Sequence, residues 1–228
     1  AKGYRVLMID TDPQCNLSMC FLPEQEDDTQ SLYHVYSQGK SMDEVKVAVK
    51  EGLDLVPGDF ALCNADIEFL KAGRLKMLQK ALKNLKEEYD FCIIDLPPNL
   101  GILSLNAFIV SDYVLVPSLA DSFSLKGGRL LKQALDDVSD EIDRKIPVIG
   151  LILNRYTNRT NVSKLLETSL NKAAEMLDTT VFESRIRQGV VMQECQIAKT
   201  DLFTYAPKAA ITEDCMAFVE EVLERVGL

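Results

Sequence analysis

No stretch of these 228 residues approaches the roughly 18 consecutive apolar residues of a membrane-spanning helix, so no helical span is predicted and the cytoplasm is the expected compartment. Histidine is nearly absent. His34 stands alone, and the six cysteines (Cys15, Cys20, Cys63, Cys92, Cys195, Cys215) form no C-x-x-C pair, which leaves no zinc set. The cysteines are expected to be mostly small buried fillers. His34 is expected to be a packed or surface residue, with no carboxylate and serine arranged to make it catalytic. A glycine-rich phosphate cradle is missing too: the only adjacent glycines, Gly127 and Gly128, fall in a helical-looking stretch and lack a following Lys-Ser/Thr. There is no internal repeat, low-complexity tract or linker, which favours a single domain over 1–228. With 47% hydrophobic and 26% charged residues, the composition is that of an ordinary globular protein.

What the chain does contain is a pair of apolar runs that each end in aspartate. Val6, Leu7, Met8 and Ile9 lead to Asp10-Thr11-Asp12-Pro13-Gln14. An unbroken run suits a parallel strand covered on both faces, and ligands bind at the C-terminal edge of such sheets. Pro13 restricts Asp12 to an extended conformation just above that edge. Phe91-Cys-Ile-Ile-Asp95-Leu96-Pro97-Pro98 repeats the design, with Gly101 shortly after. If both strands share one parallel sheet, Asp10, Asp12 and Asp95 emerge on the same edge and could share a divalent ion such as Mg²⁺.

Further strands are predicted at Leu53–Val56, Tyr113–Pro117 and Val148–Tyr156, the last ending in Asn154-Arg155. Helices are predicted near Thr29–Tyr36, after the capping pair Ser41 and Glu44, from Ile67 to Glu88, at Ile102–Val110, Leu125–Val138 and Asn161–Leu177. In the 67–88 stretch, Leu75, Leu78, Leu82 and Leu85 mark the inner face, and Lys71, Lys76, Lys80, Lys83 and Lys86 a solvated one. A last helix, Thr212 to Val226, is expected to bury Met216, Val219, Val222, Leu223 and Val226 and to expose Glu213, Glu220, Glu221 and Glu224. The alternation predicts an α/β fold, a doubly wound and mostly parallel sheet with helices on both faces.

Asp10-Thr-Asp-Pro-Gln14 followed by Asn16, Ile93-Ile-Asp-Leu-Pro-Pro98 with Gly101, and Val114-Leu-Val-Pro117 resemble the ParA/Soj chromosome- and plasmid-partitioning ATPases of the deviant Walker A group, relatives of MinD. The resemblance implies a P-loop NTPase-like fold that uses ATP and Mg²⁺. By it Asp12 positions the attacking water, Asp95 holds Mg²⁺ through water, Pro13, Gln14, Pro97 and Pro98 belong to the switch loops, and Asn154, next to Arg155, contacts adenine. It further implies an ATP-bound homodimer, nonspecific DNA binding, a ParB-like stimulating protein and a nucleoid-associated place in the cytoplasm. Two departures stand out. Cys15 replaces the family's usual glycine, and the opening strand with its KGGVGKT-type loop is absent. The chain is therefore expected to be an N-terminally truncated and inactive form, lacking about 25 to 35 residues, one β-loop-α unit.

The net charge of −10 opposes DNA binding, although Arg155, Arg159, Lys164, Arg185, Arg187, Lys199 and Lys208 concentrate in the C-terminal third. The acidic last helix argues against a membrane-bound branch, where such helices are basic. Two other functions compete: an ATP-dependent amide ligase of the cobyrinate or dethiobiotin type, and a scaffold that binds a partner without hydrolysis.

Overall fold

Strand β1 (Val6–Asp10) is the centre of the first sheet because its side chains can be buried on both faces. It pairs in parallel with β3 (Leu53–Val56) on one side and with β4 (Phe91–Asp95) on the other, and β2 (Val47–Lys50) adds antiparallel to β3, giving the order β2-β3-β1-β4. Strand alternation sends Leu7 and Ile9 into the larger core cluster and Met8 to the opposite face, against Leu22 and Leu55. The computed structural model describes residues 2–22, 29–69, 74–119, 125–156 and 162–228. It divides into two compact units, Ala1–Val110 and Ser111–Leu228.

In the first unit the helices are α1 (Asn16–Phe21), α2 (Leu32–Gln38), α3 (Met42–Val45), α4 (Ala65–Glu68), α5 (Met77–Lys83) and α6 (Ile102–Val110). The Ser41 and Glu44 pair does begin a helix: Glu44 accepts the Ser41 N–H and hydroxyl, both at 2.8 Å. That helix lasts one turn. Val47 and Val49, which follow with a period of two, belong to β2 instead.

The long helix expected from Ile67 to Glu88 is broken up. α4 ends at Glu68, a 3₁₀ turn covers Arg74–Lys76, α5 stops at Lys83, and Lys71 lies outside the described residues. Leu78 is buried, and Leu82 and Leu85 pack on the core, while Leu75 is 40% exposed. The buried side chain of Asn106 on α6 explains where α5 begins. Its Oδ1 accepts the Met77 and Leu78 N–H groups and its Nδ2 donates to the Ile102 carbonyl, so α6 supplies the cap that α5 lacks. Lys76, Lys80, Lys83 and Lys86 are exposed, as an outer face requires.

His34 departs from expectation. The buried Ser31 hydroxyl lies 2.9 Å from His34 Nδ1 and donates to Asp59 Oδ2 at 2.7 Å, so a serine and a carboxylate do stand beside it. Ser31 is fully buried at the start of α2, where the trio closes the helix end and offers no reachable nucleophile. The cysteines also depart: only Cys195 is buried, and Cys63 and Cys92 are exposed.

The second unit is a three-stranded parallel sheet, β5 (Val114–Leu119), β6 (Val148–Tyr156) and β7 (Val181–Arg187), in the order β5-β6-β7. Its helices are α7 (Leu125–Ile142), α8 (Val162–Met176), α9 (Val190–Ile197), α10 (Leu202–Tyr205) and α11 (Ala210–Arg225). Gly127 and Gly128 fall within α7 as expected, and Leu135 and Val138 are buried hydrophobic residues on it, whereas Leu130 is half exposed. On α11, Val219 is exposed and Glu221 is not. Glu221 instead accepts the N–H groups of Glu183 and Ser184 on β7 at 3.0 and 2.9 Å and the Ser184 hydroxyl at 2.7 Å. Seven residues earlier, Asp214 accepts the Arg187 N–H at 3.1 Å and pairs with its guanidinium at 2.6 and 2.8 Å. Two turns of helix place both carboxylates on one face, where they take up donors along the outer strand of the sheet.

Candidate active site

Asp10 and Asp95 are partners across the β1–β4 ladder, so both carboxylates reach the C-terminal edge of the first sheet together. Thr11 locks the two strand ends: its N–H and hydroxyl both donate to the Asp95 carbonyl, at 3.0 and 2.5 Å. Just beyond, Asp12 Oδ1 accepts the Gln14 N–H at 2.9 Å and its carbonyl accepts the Cys15 N–H at 2.9 Å, a tight turn through Pro13 that leads into α1.

The three carboxylates live in different surroundings. Asp10 is fully buried; its Oδ2 accepts the Ser18 N–H at 2.8 Å and hydroxyl at 2.6 Å, and its Oδ1 the Asp12 N–H at 3.2 Å. Ser18 Oγ in turn accepts the Gly58 N–H at 2.9 Å. A Cβ at Gly58 would stand 3.0 Å from the Asp10 carboxyl carbon, so glycine lets the end of β3 close on this network. Burial raises the Asp10 pKa in spite of the Ser18 and Asp12 hydrogen bonds, and the Asp12 charge adds to the rise. Asp95, exposed at its strand end, is raised as well, by partial desolvation and then by the charges of Asp10 and Asp12. The Asp10 and Asp12 charges that act on Asp95 are negative charge that a cation would relieve.

Among the described residues no three His, Cys, Asp or Glu side chains form a group that could hold a metal ion by themselves. An ion here would draw most of its ligands from water and substrate oxygens, the habit of Mg²⁺. Asp95 suits that donor set. Asp10 has already committed its oxygens to Ser18 and Asp12.

Cys15 takes φ 55 and ψ 28, the left-handed conformation a glycine would adopt freely, so the substitution leaves this loop geometry in place at a strain of about 1–2 kcal/mol. Burial, with the charges of Asp10, Asp59 and Asp12, pushes its thiol from 9.0 up to about 12. We expect Cys15 to alkylate about fiftyfold more slowly than an ordinary thiol at pH 8, a thousandfold loss of thiolate partly offset by greater nucleophilicity. Peptide mass spectrometry after timed iodoacetamide treatment reads this, and labelling of Cys15 at the rate of exposed Cys63 would contradict it.

In the loop after β4, Pro97 is half-buried and Pro98 exposed, and the Asn99 carbonyl accepts the Ser104 hydroxyl at 2.6 Å. The first unit thus brings together Asp10, Asp12, Asp95 and the loops bearing Pro13, Gln14, Pro97 and Pro98. Asn154 and Arg155 belong to the second unit. There Asn154 Oδ1 accepts the Arg155 N–H at 2.8 Å, and exposed Arg155 takes φ 54 near the end of β6, where the ladder to β7 shifts register. Sequence reasoning missed Ser18, Thr11 and Gly58. Thr11 sat inside the recognised motif, but Ser18 and Gly58 join the site only through the fold.

The chain matches the AAA_31 family model, described as an AAA domain, over residues 1–148. An uncharacterised protein of Mycobacterium tuberculosis is 32% identical over 99% of this chain and 71% of its own length. The sporulation initiation inhibitor protein Soj of Bacillus subtilis is 28% identical over 96% of this chain and 87% of Soj. Among solved structures, apo McdA of Cyanothece superposes with a TM-score of 0.82 at 20% identity, covering 97% of this chain and 88% of McdA, which shows the shared α/β fold. Cobyrinic acid a,c-diamide synthase of Mycobacterium smegmatis, at 27% identity, gives a TM-score of 0.74 over 87% of this chain and 80% of the synthase. With its paired aspartate loops at one sheet edge, the chain belongs to the ParA/Soj family of P-loop NTPases.

Proposed function

We propose that this chain is the body of a ParA/Soj-type partitioning ATPase, in which Mg-ATP drives homodimerisation and the dimer engages nonspecific DNA under control of a ParB-like protein. The observation that carries the reading is the convergence of Asp10, Asp12 and Asp95, with the Asp10 and Asp95 pKa values raised, at the carboxyl edge of a parallel sheet. In this reading Asp12 orients the attacking water on the γ-phosphate. Asp95 would hold Mg²⁺ through water, and a bound ion would supply positive charge against the phosphoryl oxygens. Asp10 ties β1 to α1 and so keeps Asp12 in place. Asn154, beside Arg155, meets the adenine edge, for which its carboxamide has both a donor and an acceptor. The M. smegmatis synthase was also solved with bound ADP and magnesium, which supports nucleotide and Mg²⁺ as the cofactors. One ATPase domain over 1–228 is proposed, working in the cytoplasm on the nucleoid.

DNA binding has to overcome the net charge of −10. Asp214 neutralises Arg187, Arg159 lies outside the described residues, and Arg155, Arg185, Lys199 and Lys208 are exposed. These four belong to the proposed contact surface, whose affinity must fall as salt rises. No helix among the described residues is long and apolar enough to cross a membrane, and α11 is acidic, so no membrane partner is proposed.

A second reading, an ATP-dependent amide ligase, is favoured by the likeness to the diamide synthase. It needs a substrate pocket beside the aspartate loops, of about 300 Å³ or more. The cavity found there, lined by Pro13, Asp66, Asn99 and Gly101 among others, is about 40 Å³. A hollow of about 440 Å³ exists, but Arg5, Lys46, Asp54 and Glu87 line it at the opposite end of β1. The Asp12-Pro13-Gln14 and Asp95-Leu96-Pro97-Pro98 signatures favour the partitioning reading, which is preferred.

These 228 residues contain no KGGVGKT-type loop, whose backbone N–H groups would supply most phosphate contacts, so this chain by itself is expected to bind nucleotide weakly. The test is Mg²⁺-dependent ATP binding and hydrolysis by this chain and by a form extended upstream in its gene. Turnover by the extended form supports the reading; absence of ATP binding in both leaves the non-hydrolysing scaffold.

A further inference from the structure

We propose that Asp66 is a positioning residue for the ATPase site, anchoring the far end of the loop that follows Asp95. The proposal rests on the ATPase reading above. Asp66 stands on the one-turn helix α4, distant in sequence from that loop, yet its Oδ1 accepts the N–H of Ile102 at 2.6 Å. Ile102 is the first residue of α6, and its N–H is among the donors that a helix start leaves unmatched. Position 101 is glycine and has no side chain to serve as cap, so the acceptor comes from another segment. Gly101 is also what admits it. A Cβ there would fall 2.5 Å from Asp66 Oδ1 and 2.6 Å from Oδ2, so any other residue would displace the carboxylate.

The anchored loop is short and stiff. Pro97 and Pro98 restrict its first half, the Asn99 carbonyl accepts the Ser104 hydroxyl, and Asp66 fixes its last peptide. Held at both ends, it has little freedom to carry Asp95 or the prolines out of place. The segment bearing Asp66 also abuts the other aspartate loop, because Pro13 lines the same small cavity as Asp66, Asn99 and Gly101. One carboxylate thus supports the place where the two loops meet.

The natural full-length protein is compared with its Asp66→Ala, Asp66→Asn, Gly101→Ala and Asp66→Ala/Gly101→Ala forms, for kcat and KM with ATP and for amide exchange at Ile102. Asp66→Ala should lower kcat about tenfold while KM moves less than about threefold, as expected when a reacting group is displaced slightly. Asp66→Asn keeps an acceptor oxygen and should stay within about threefold of wild type, with Ile102 exchange unchanged. Gly101→Ala should cost about tenfold alone but under about threefold in the Asp66→Ala background, where the clash is gone. Strictly multiplicative losses, or Ile102 exchange in Asp66→Ala equal to wild type, would overturn the anchor. Should Asp66→Ala show faster Ile102 exchange than wild type while wild type shows no ATP turnover, the anchor stands and the ATPase reading falls.

Discussion

Asp12→Ala is expected to lower ATP turnover of the natural full-length protein at least about a hundredfold, the lower range for removing a positioned proton acceptor, while ATP affinity changes only a few-fold. Asp12 follows a buried strand end that Thr11 ties to Asp95, and its own Oδ1 shapes the turn by accepting the Gln14 N–H. Two functions therefore reside in one side chain, a charge and a turn acceptor. Asp12→Asn separates them. Asparagine keeps the turn through its amide oxygen but cannot orient water as a carboxylate does, so it should be nearly as slow as alanine, with the loop intact by amide exchange. Steady-state hydrolysis with saturating Mg²⁺ is the measurement. Retention of more than about a third of wild-type turnover by Asp12→Ala would remove Asp12 from the reaction and return the aspartate pair to a structural role.

Glu221→Ala is expected to destabilise the second unit by about 3 kcal/mol, the scale for losing hydrogen bonds to a charged acceptor and leaving their donors without it. Besides the Glu183 and Ser184 N–H groups and the Ser184 hydroxyl, Glu221 accepts from Arg225 at 2.7 Å. Arg225 also donates to the Ile149 and Val181 carbonyls and lies 3.8 Å over the Phe182 ring, so α11 is fastened to both β6 and β7. Urea denaturation followed by circular dichroism should show a lower midpoint with an unchanged slope.

The same contacts predict the acid response. Burial alone would raise Glu221, but the hydrogen bonds from Ser184, Glu183 and Arg225 outweigh it and hold its pKa below the ordinary 4.5. Asp214 is held below 3.8 chiefly by Arg187. A carboxylate lowered in the folded state contributes stability above its unfolded pKa and loses it as pH falls through the folded value. Acid destabilisation should thus begin near pH 4.5, and Glu221→Gln should flatten it. An unchanged acid limb in Glu221→Gln would mean that other groups dominate.

Much of this was legible in the sequence, and the exceptions have physical causes. β1 and β4 could be read because apolar runs ending in Asp-x-Asp-Pro and Asp-Leu-Pro-Pro carry strand, stop and chemistry in consecutive residues. α6 and α7 were legible from helical spacing. The 67–88 stretch was not, because its leucines kept a helical period while the start of α5 depends on Asn106, a residue outside the stretch. β4 also ran against expectation: among the described residues it has one strand neighbour, β1, and Ile93 is 56% exposed. Glu221 looked like an outward charge because nothing in α11 reveals that the strand's donors lie beside it. Ser18, Gly58 and Asp66 were hidden for the same reason, as each acquires its role from a partner many residues away.

The β1–β4 ladder has a consequence for how the first sheet assembles. Its partners Asp10 and Asp95 enclose most of the first unit, whereas Val114 and Val148 in β5 and β6 enclose less than half as much chain. Each doubling of a closed loop costs about 0.6 kcal/mol of additional chain entropy, and non-local pairing slows folding. Among the described residues the aspartate edge is therefore made by the longest strand closure in either sheet, so packing of the segments between Asp10 and Asp95 shortens the loop that their pairing must close.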